Sequence, residues 1–261
     1  MPVFCIGEKM KLRELIKRAI YYISVPKCVL CKERLDYDDK GLCKRCMTEY
    51  RKHKQRNCPH CSNILSECSC SYKDLEAHGI KKLVKLFRYS KAEESLPSNY
   101  LIYSLKQDNR SDVLEFLSLE LAAAINHSFD LSKEDFVVTS VPRRKSAIVN
   151  FGYDHAKELA KAVSKLLGVE YLELLRSESK KAQKSVYGEA RKQNARFDYA
   201  CDDSLSLKGK SVILIDDIVT TGASMTNCAT LIRGLRPRRI IGACLGTAYK
   251  EKYIDFNRYK K

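Results

Sequence analysis

Two adjacent carboxylates and a hydroxyl-rich glycine turn stand close together in the last quarter of the chain. Asp216 and Asp217 follow the apolar residues 212–215, and the turn consists of Thr220, Thr221, Gly222, Ala223 and Ser224. A glycine turn that opens a helix offers backbone N–H groups and hydroxyls to phosphate. Carboxylates repel phosphate, so they suit sugar hydroxyls or a metal ion. The pattern predicts a site for a phosphorylated sugar, with phosphate at the turn and a ribose diol at the carboxylates.

The elements that must position these residues can be read from the apolar pattern. Residues 211–216 suit a strand buried on both faces, and residues 225–235 suit the helix after the turn. Further predicted elements are a helix at 112–126, a strand at 136–142, a helix at 151–167, a strand at 169–172 and a strand at 239–247. Alternating strands and helices indicate an α/β fold with a mostly parallel sheet and helices on both faces. Such sheets bind ligands at the carboxyl ends of their strands, where this pattern places the acids.

A second chemical signal is the concentration of cysteine before residue 72. Four short pairs are present: Cys28 with Cys31, Cys43 with Cys46, Cys58 with Cys61, and Cys68 with Cys70. Two such pairs enclose a zinc ion tetrahedrally, so we predict a small double zinc ribbon with one or two structural Zn ions. The spacing leaves open whether the first pair joins the second or the third. His60, inside the third pair, could also replace a cysteine.

Composition narrows the classes of protein and partner. The formal charge of +16 favours anionic partners such as nucleotides, nucleic acid or a membrane surface. No apolar run reaches the length of a transmembrane segment, and residues 1–11 lack the apolar region of a signal peptide. A chain with 12 cysteines and no export signal fits metal binding better than disulfides. The predicted location is the cytoplasm.

These patterns divide the chain into four expected parts. Residues 1–24 form an amphipathic helix that packs on a partner surface or, alternatively, contacts a membrane. Residues 25–72 form the Cys-rich module, residues 80–250 the α/β domain, and residues 251–261 a basic tail. The basic run at 51–56, between the second and third cysteine pairs, is either a phosphate contact or a solvated link.

The order of acids and turn resembles the 5-phosphoribosyl-1-pyrophosphate (PRPP) motif of type I phosphoribosyltransferases. The resemblance implies that Asp216 and Asp217 hold the ribose hydroxyls, with Mg²⁺ bound alongside PRPP. It implies that the turn from Thr220 to Ser224 holds the 5-phosphate.

The chain as a whole resembles the ComF family (ComFC-like), whose members join a zinc ribbon to a phosphoribosyltransferase domain. The resemblance covers residues 25–248. Besides the cysteine pairs and the acidic motif, its landmarks are Phe87, Tyr89, Leu105, Lys106, Val141, Pro142, Gly152, Tyr153, Ala156, Leu159, Ala160, Gln183, Arg191, Asn194 and Phe197. It implies a competence role in DNA uptake or single-stranded DNA handling, with DNA-uptake or helicase proteins as partners. The implied ligand is PRPP or a phosphoribosyl nucleotide.

Groups for the pyrophosphate are expected in two segments. The candidates are Arg143, Arg144, Lys145, Gln183, Arg191 and Asn194. The first three follow residues 141–142, where the pyrophosphate loop of such enzymes lies, although a basic surface loop explains them equally well. The last three lie in the basic run 176–196, where the resemblance implies a mobile cover. Lys106 is a weaker candidate, with a surface lysine at a helix end as the alternative.

The chain departs from the family pattern at positions that bear on catalysis. Phe151 stands where the family usually has Arg, and Asp154-His155 replaces a neutral Asn-Gln pair. In 6-oxopurine transferases an Asp precedes the Thr-Gly of the turn, and Thr220 holds that position here. No catalytic residue is therefore assigned. Two functions stay open: a PRPP-binding factor of DNA processing, and an active transferase of nucleotide salvage with an unidentified acceptor.

Overall fold

The computed structural model describes residues 25–58, 61–64, 67–68, 70–89, 96–143, 148–149, 152–177, 197–202 and 205–248. The expected N-terminal helix of residues 1–24 and the basic tail of residues 251–261 lie outside these ranges. So do the candidates Arg144, Lys145, Gln183, Arg191 and Asn194, together with His60 and Phe151.

Helices and strands alternate through most of the described residues. The helices are α1 (Lys44–Lys54), α2 (Lys73–Ala77), α3 (Pro97–Gln107), α4 (Ser111–Ser128), α5 (His155–Leu167) and α6 (Ala223–Gly234). The strands are β1 (Leu83–Arg88), β2 (Phe136–Ser140), β3 (Glu170–Tyr171), β4 (Leu175–Ser177), β5 (Phe197–Tyr199), β6 (Ser211–Val219) and β7 (Arg239–Thr247). No helix in the described ranges is both long enough and apolar enough to cross a membrane.

Five of the strands form one parallel sheet in the order β1-β7-β6-β2-β3. Because parallel strands are connected through helices, both faces of such a sheet are covered. On β6, Ile213 and Ile215 belong to the core on one face, together with α4 and α5. Val212 and Leu214 belong to the core on the other face, with α2 and α6. The predicted α/β fold with a mostly parallel sheet is confirmed. A separate antiparallel pair joins β4 to β5.

The central strand runs further than the apolar pattern predicts. The pattern predicts an end at Asp216, whereas β6 continues to Val219 because β7 pairs with it as far as Thr247. Asp216 lies opposite Cys244 and is therefore a residue of the strand itself. The turn then leads directly into α6, which begins at Ala223 and not at Met225.

Two other features of the structure differ from the prediction for local reasons. The helix predicted from residue 151 begins at His155, because the Asp154 carboxylate accepts a hydrogen bond from the N–H of Lys157 at 3.1 Å and caps it. The basic run at 51–56 is not a solvated link in its first part. Its residues up to Lys54 are the last turn of α1, and His53 is buried.

Candidate functional site

The carboxyl edge of the sheet, defined by the ends of β2, β6 and β7, carries a compact charged group. The Asp217 carboxylate lies 2.9 Å from the ammonium of Lys106, at the end of α3. It also lies 3.0 Å from the guanidinium of Arg143, three residues after β2. The Asp217 side chain is only 8% exposed, so both ion pairs are largely shielded from water. The structure thus brings together residues from three distant segments.

His155 holds Arg143 in this position. Arg143 donates from Nη1 to Nδ1 of His155 at 3.0 Å, which leaves Nε2 to donate to the Asn109 side-chain oxygen at 3.1 Å. Burial and the charge of Arg143 lower the pKa of His155 to about 4. The imidazole is therefore neutral near pH 7, with both nitrogens engaged. The departure from the family pattern at His155 has a positioning role, while Asp154 is a helix cap.

The two acids differ in protonation although they are neighbours. Burial and the charge of Asp217 raise the pKa of Asp216 to about 8. Burial also opposes ionisation of Asp217, but Lys106 and Arg143 outweigh it and lower the pKa of that carboxyl. Asp217 is therefore the ionised member of the pair, and Asp216 needs a further cation or donor to ionise fully near pH 7.

The turn after β6 is held in a left-handed conformation close to α2. Gly222 has φ +82°, a left-handed conformation that L side chains rarely adopt, and a Cβ there would lie 3.3 Å from Leu75 of α2. The N–H of Ala223 points toward the Thr221 hydroxyl at 3.4 Å, and Thr220 is exposed. The first turn of α6, which includes Ser224, therefore comes directly after a backbone segment that is held close to α2. Hydroxyl groups lie at the edge of that segment.

The Tyr72 hydroxyl contacts the backbone at the start of this turn. Its hydroxyl lies 3.1 Å from the Val219 carbonyl and 3.4 Å from the Ala248 carbonyl, the positions where β6 ends and where the chain leaves β7. Tyr72 is buried and stands two residues after Cys70. The cysteine module and the turn are therefore in direct contact through one side chain.

The eight paired cysteines form two separate clusters. Cys28, Cys31, Cys43 and Cys46 form the first, and Cys58, Cys61, Cys68 and Cys70 form the second. The sequential pairing is therefore correct and the crossed pairing is wrong. Sulfur ligands at about 2.3 Å from zinc stand about 3.8 Å apart in a tetrahedron. The observed separations of 3.7 Å for Cys31–Cys43 and 3.6 Å for Cys61–Cys68 fit a structural zinc ion in each cluster.

Sequence reasoning missed two groups that complete the site and treated a third, Lys106, as only a weak candidate. Lys106 is less exposed than the surface-lysine alternative implies, at 23% of its side chain, and its partner is an acid of the motif. Asn109 and Tyr72 carried no signal, because their roles depend on residues 46 and 147 positions away. A neutral His beside a basic loop is the one local hint that could have linked His155 to Arg143.

The model of the family described as "Phosphoribosyl transferase domain" matches residues 119–259. The competence protein ComFC of Streptococcus pneumoniae is 26% identical over 225 residues, which cover 79% of this chain and 93% of that protein. The DNA utilization protein YhgH of Escherichia coli K12 is 25% identical over 212 residues, which cover 78% of this chain and 89% of that protein. These matches and the two cysteine clusters confirm the predicted likeness to the ComF family.

Solved structures of phosphoribosyltransferases are also similar to this chain. A hypoxanthine phosphoribosyltransferase from Staphylococcus aureus is 16% identical with a TM-score of 0.36, covering 54% of this chain and 65% of that one. A purine phosphoribosyltransferase from Pyrococcus horikoshii is 17% identical with a TM-score of 0.34, covering 51% of this chain and 73% of that one.

Proposed function

The chain belongs to the phosphoribosyl transferase domain family, and from this premise we propose that it binds PRPP or a phosphoribosyl nucleotide with Mg²⁺. The binding site is the carboxyl edge of the sheet. The protein uses this site in DNA uptake or the handling of single-stranded DNA inside the cell. Its eight paired cysteines hold two structural zinc ions.

One observation carries the ligand proposal. Asp216, Asp217 and the Gly222 turn lie on a single strand–turn–helix unit, and Lys106 and Arg143 both pair with Asp217 of that unit. The turn and the N-terminus of α6 offer donors to a 5-phosphate. The carboxylates accept hydrogen bonds from a ribose diol, and the two cations favour a pyrophosphate. Mg²⁺, when bound, neutralises pyrophosphate oxygens and helps to orient the ribose.

The DNA role rests on the relatives. One is named a competence protein and the other a DNA utilization protein, and both match more than three quarters of this chain. The formal charge of +16 suits a protein that works with nucleic acid.

A second candidate function is transfer of phosphoribose from PRPP to an acceptor. Membership of the phosphoribosyl transferase domain family favours this function. Lys106 and Arg143 are suited to stabilise the charge of a leaving pyrophosphate. A general base for the acceptor is harder to find. His155 is not available, since its Nδ1 accepts from Arg143 and its Nε2 donates to Asn109. Binding is therefore the primary proposal.

Calorimetric titration with PRPP and Mg²⁺ tests the ligand site. We expect the Asp216→Asn/Asp217→Asn variant to lose PRPP binding while it keeps its zinc content. The matched control is Asp38→Asn/Asp39→Asn, another adjacent acid pair, which lies between the two cysteine pairs of the first cluster. An unchanged titration in the first variant would refute the site.

Pyrophosphate release separates the two functions. PRPP is incubated with the protein, Mg²⁺ and a panel of bases, and pyrophosphate is measured. Binding without release under all conditions supports a ligand-binding factor. Release that depends on one base, and that disappears in Asp216→Asn/Asp217→Asn, supports the transferase.

A further inference from the structure

We propose that the amino edge of the sheet, where β1, β6 and β7 begin, binds the phosphodiester backbone of a single nucleic-acid strand. This inference deepens the DNA-handling part of the proposed function and does not depend on the phosphoribosyl ligand. We call this surface the basic groove. It is lined by Lys81, Lys82, Arg233, Arg238 and Arg239, with Glu76 as the acidic member of its wall.

The basic groove is a concave site and not merely a charged patch. Its cavity has a volume of about 560 Å³ between the start of β7, the end of α6 and the segment before β1. A second cavity of about 240 Å³ shares Lys82 and Phe129 with it. A third, of about 480 Å³, also has Phe129 in its lining, together with His127, Ser128 and Asp130. Adjacent cavities that share lining residues leave room for a ligand that extends beyond the basic groove.

The cations of the groove are partly held in place before any ligand arrives. The Lys82 ammonium lies 5.5 Å from the centre of the Phe129 ring, and the Arg239 guanidinium lies 5.3 Å from it. Arg239 also pairs with Glu134, whose carboxylate accepts a hydrogen bond from the Ser211 hydroxyl. Ordering these side chains in advance lowers the entropy cost of binding.

Three of the five cations keep their charge available for a partner. Among the described residues, neither Lys81, Lys82 nor Arg233 forms an ion pair, and all three are exposed. Five cations against Glu76 and the paired Glu134 leave the groove with an excess of positive charge. A polyanion is the ligand class that such a groove favours.

Backbone recognition of one strand fits best among the polyanions. Proteins that bind single strands without sequence preference use positively charged grooves that follow the phosphates, and many add aromatic side chains on which the bases stack. Phe129 is only 8% exposed and covered by two cations, so it does not stack on a base, and little sequence preference is expected. Insertion into a membrane surface would need exposed apolar side chains. The large exposed apolar side chains of the described residues, Tyr103, Leu119, Val149 and Leu166, do not line the groove.

The groove and the phosphoribosyl site are far enough apart to be filled together. Ser211 pairs with Arg239 at the amino edge, and Asp216 pairs with Cys244 five residues further on. At about 3.3 Å per residue the two levels of the sheet are about 16 Å apart. The same domain can therefore hold a strand at one edge and a small phosphorylated ligand at the other.

The test measures binding of a fluorescent single-stranded 30-mer to the full chain over a range of salt concentrations. We expect Lys81→Gln/Lys82→Gln/Arg233→Gln to weaken binding about tenfold or more. The slope of log affinity against log salt should fall by about 2, because each lost phosphate contact removes about 0.7. Arg239 is left intact because its contacts are structural. The control is Lys32→Gln/Arg34→Gln/Lys165→Gln, which removes the same charge from exposed positions elsewhere.

Each other outcome overturns the proposal in a distinguishable way. Equal affinity and slope in the groove and control variants would place DNA elsewhere, while the DNA role of the protein would stand. No binding by the unmodified chain would remove both the groove and the DNA role. A polyglutamate peptide that competes as well as the oligonucleotide would assign the groove to an acidic protein partner. PRPP titration of the groove variant should be unchanged, which separates this test from that of the phosphoribosyl site.

Discussion

The two cysteine clusters share one local design and differ in what surrounds them. In each, the N–H of the first cysteine donates at 2.7 Å to the carbonyl five residues ahead, Glu33 for Cys28 and Asn63 for Cys58. The residue before that carbonyl has φ near +60° in both. The residues packed around the two clusters are different. Similar knuckles can therefore be supported either by a hydrophobic core or by the metal they hold.

The first cluster is part of the main core of the domain. Cys28 and Cys46 pack with Tyr50, whose ring makes edge contacts with Phe87 and Phe116 at centroid distances of 6.3 and 5.4 Å. The segment between its two pairs is also held, since the N–H of Gly41 donates to Asp112 at 2.9 Å.

The second cluster has much less apolar support. Its buried apolar group consists of Cys58, Cys68 and Cys70, with Cys61 packed against them. Its distinctive neighbour is Lys85 of β1, which is 1% exposed and donates to the Cys70 carbonyl at 2.8 Å. A buried ammonium is costly without a counter-charge. Four thiolates around Zn²⁺ carry a net charge of −2, which supplies one.

The largest effect should come from breaking the first cluster. We expect Cys28→Ser/Cys46→Ser to lower the free energy of unfolding of the whole domain by roughly 5 kcal/mol or more, because it removes both a structural metal and part of the core. Cys58→Ser/Cys61→Ser should lose one zinc ion and leave cooperative unfolding of the domain nearly unchanged. Thermal unfolding by circular dichroism and zinc content by a colorimetric chelator are measured together. Equal losses of Tm in both variants would show that the two clusters do not differ.

A smaller effect, confined to the second cluster, is expected from Lys85→Met. Without the ammonium, the thiolate charge is less compensated, so a chelator should remove that zinc ion about tenfold faster. Methionine fills a similar volume and carries no charge to desolvate, so Tm of the zinc-loaded protein should stay the same or rise. The matched control is Lys165→Met on the exposed side of α5. Unchanged release of both zinc ions from Lys85→Met would show that the lysine is not the counter-charge.

The smallest effects come from two hydroxyl groups. Tyr72→Phe removes hydrogen bonds to the carbonyls before and beside the turn after β6, whereas Tyr50→Phe removes one to Glu120 at 3.3 Å near the first cluster. Each should cost about 1 kcal/mol of stability. Only Tyr72→Phe should weaken PRPP binding, by roughly 3- to 10-fold, since a displaced turn loses phosphate donors. Calorimetry that finds equal affinities would mean that the second cluster does not support the turn.

The sequence revealed features whose determinants are local. The spacing of the cysteine pairs, the order of Asp216, Asp217 and Gly222, and the buried apolar runs each depend on a few neighbouring residues. The fold class and the eight clustered cysteines followed from them, whereas the assignment of the pairs to two clusters came from the structure.

What the sequence did not reveal depends on distant partners. The end of β6 at Val219 is set by the length of β7, and the role of Lys106 is set by an acid 111 positions away. The apolar residues within 83–87 place Lys85 in a strand, unlike the exposed lysines at 81 and 82, but they do not indicate that its ammonium is buried. Its burial depends on cysteines brought beside β1 by the fold.

The unequal protonation of Asp216 and Asp217 has a consequence for calorimetry. An ionised carboxylate accepts the hydrogen bonds of a ribose diol more strongly than a protonated one, so binding favours ionisation of Asp216 and release of its proton, and the observed heat should change with the ionisation enthalpy of the buffer. Asp216→Asn should remove this component. Since the folded pKa of Asp216 is raised to about 8, its contribution to stability is present below about pH 4 and is lost as the pH rises through 8. The ligand-free protein is therefore expected to lose stability over the pH range in which its site becomes fully charged.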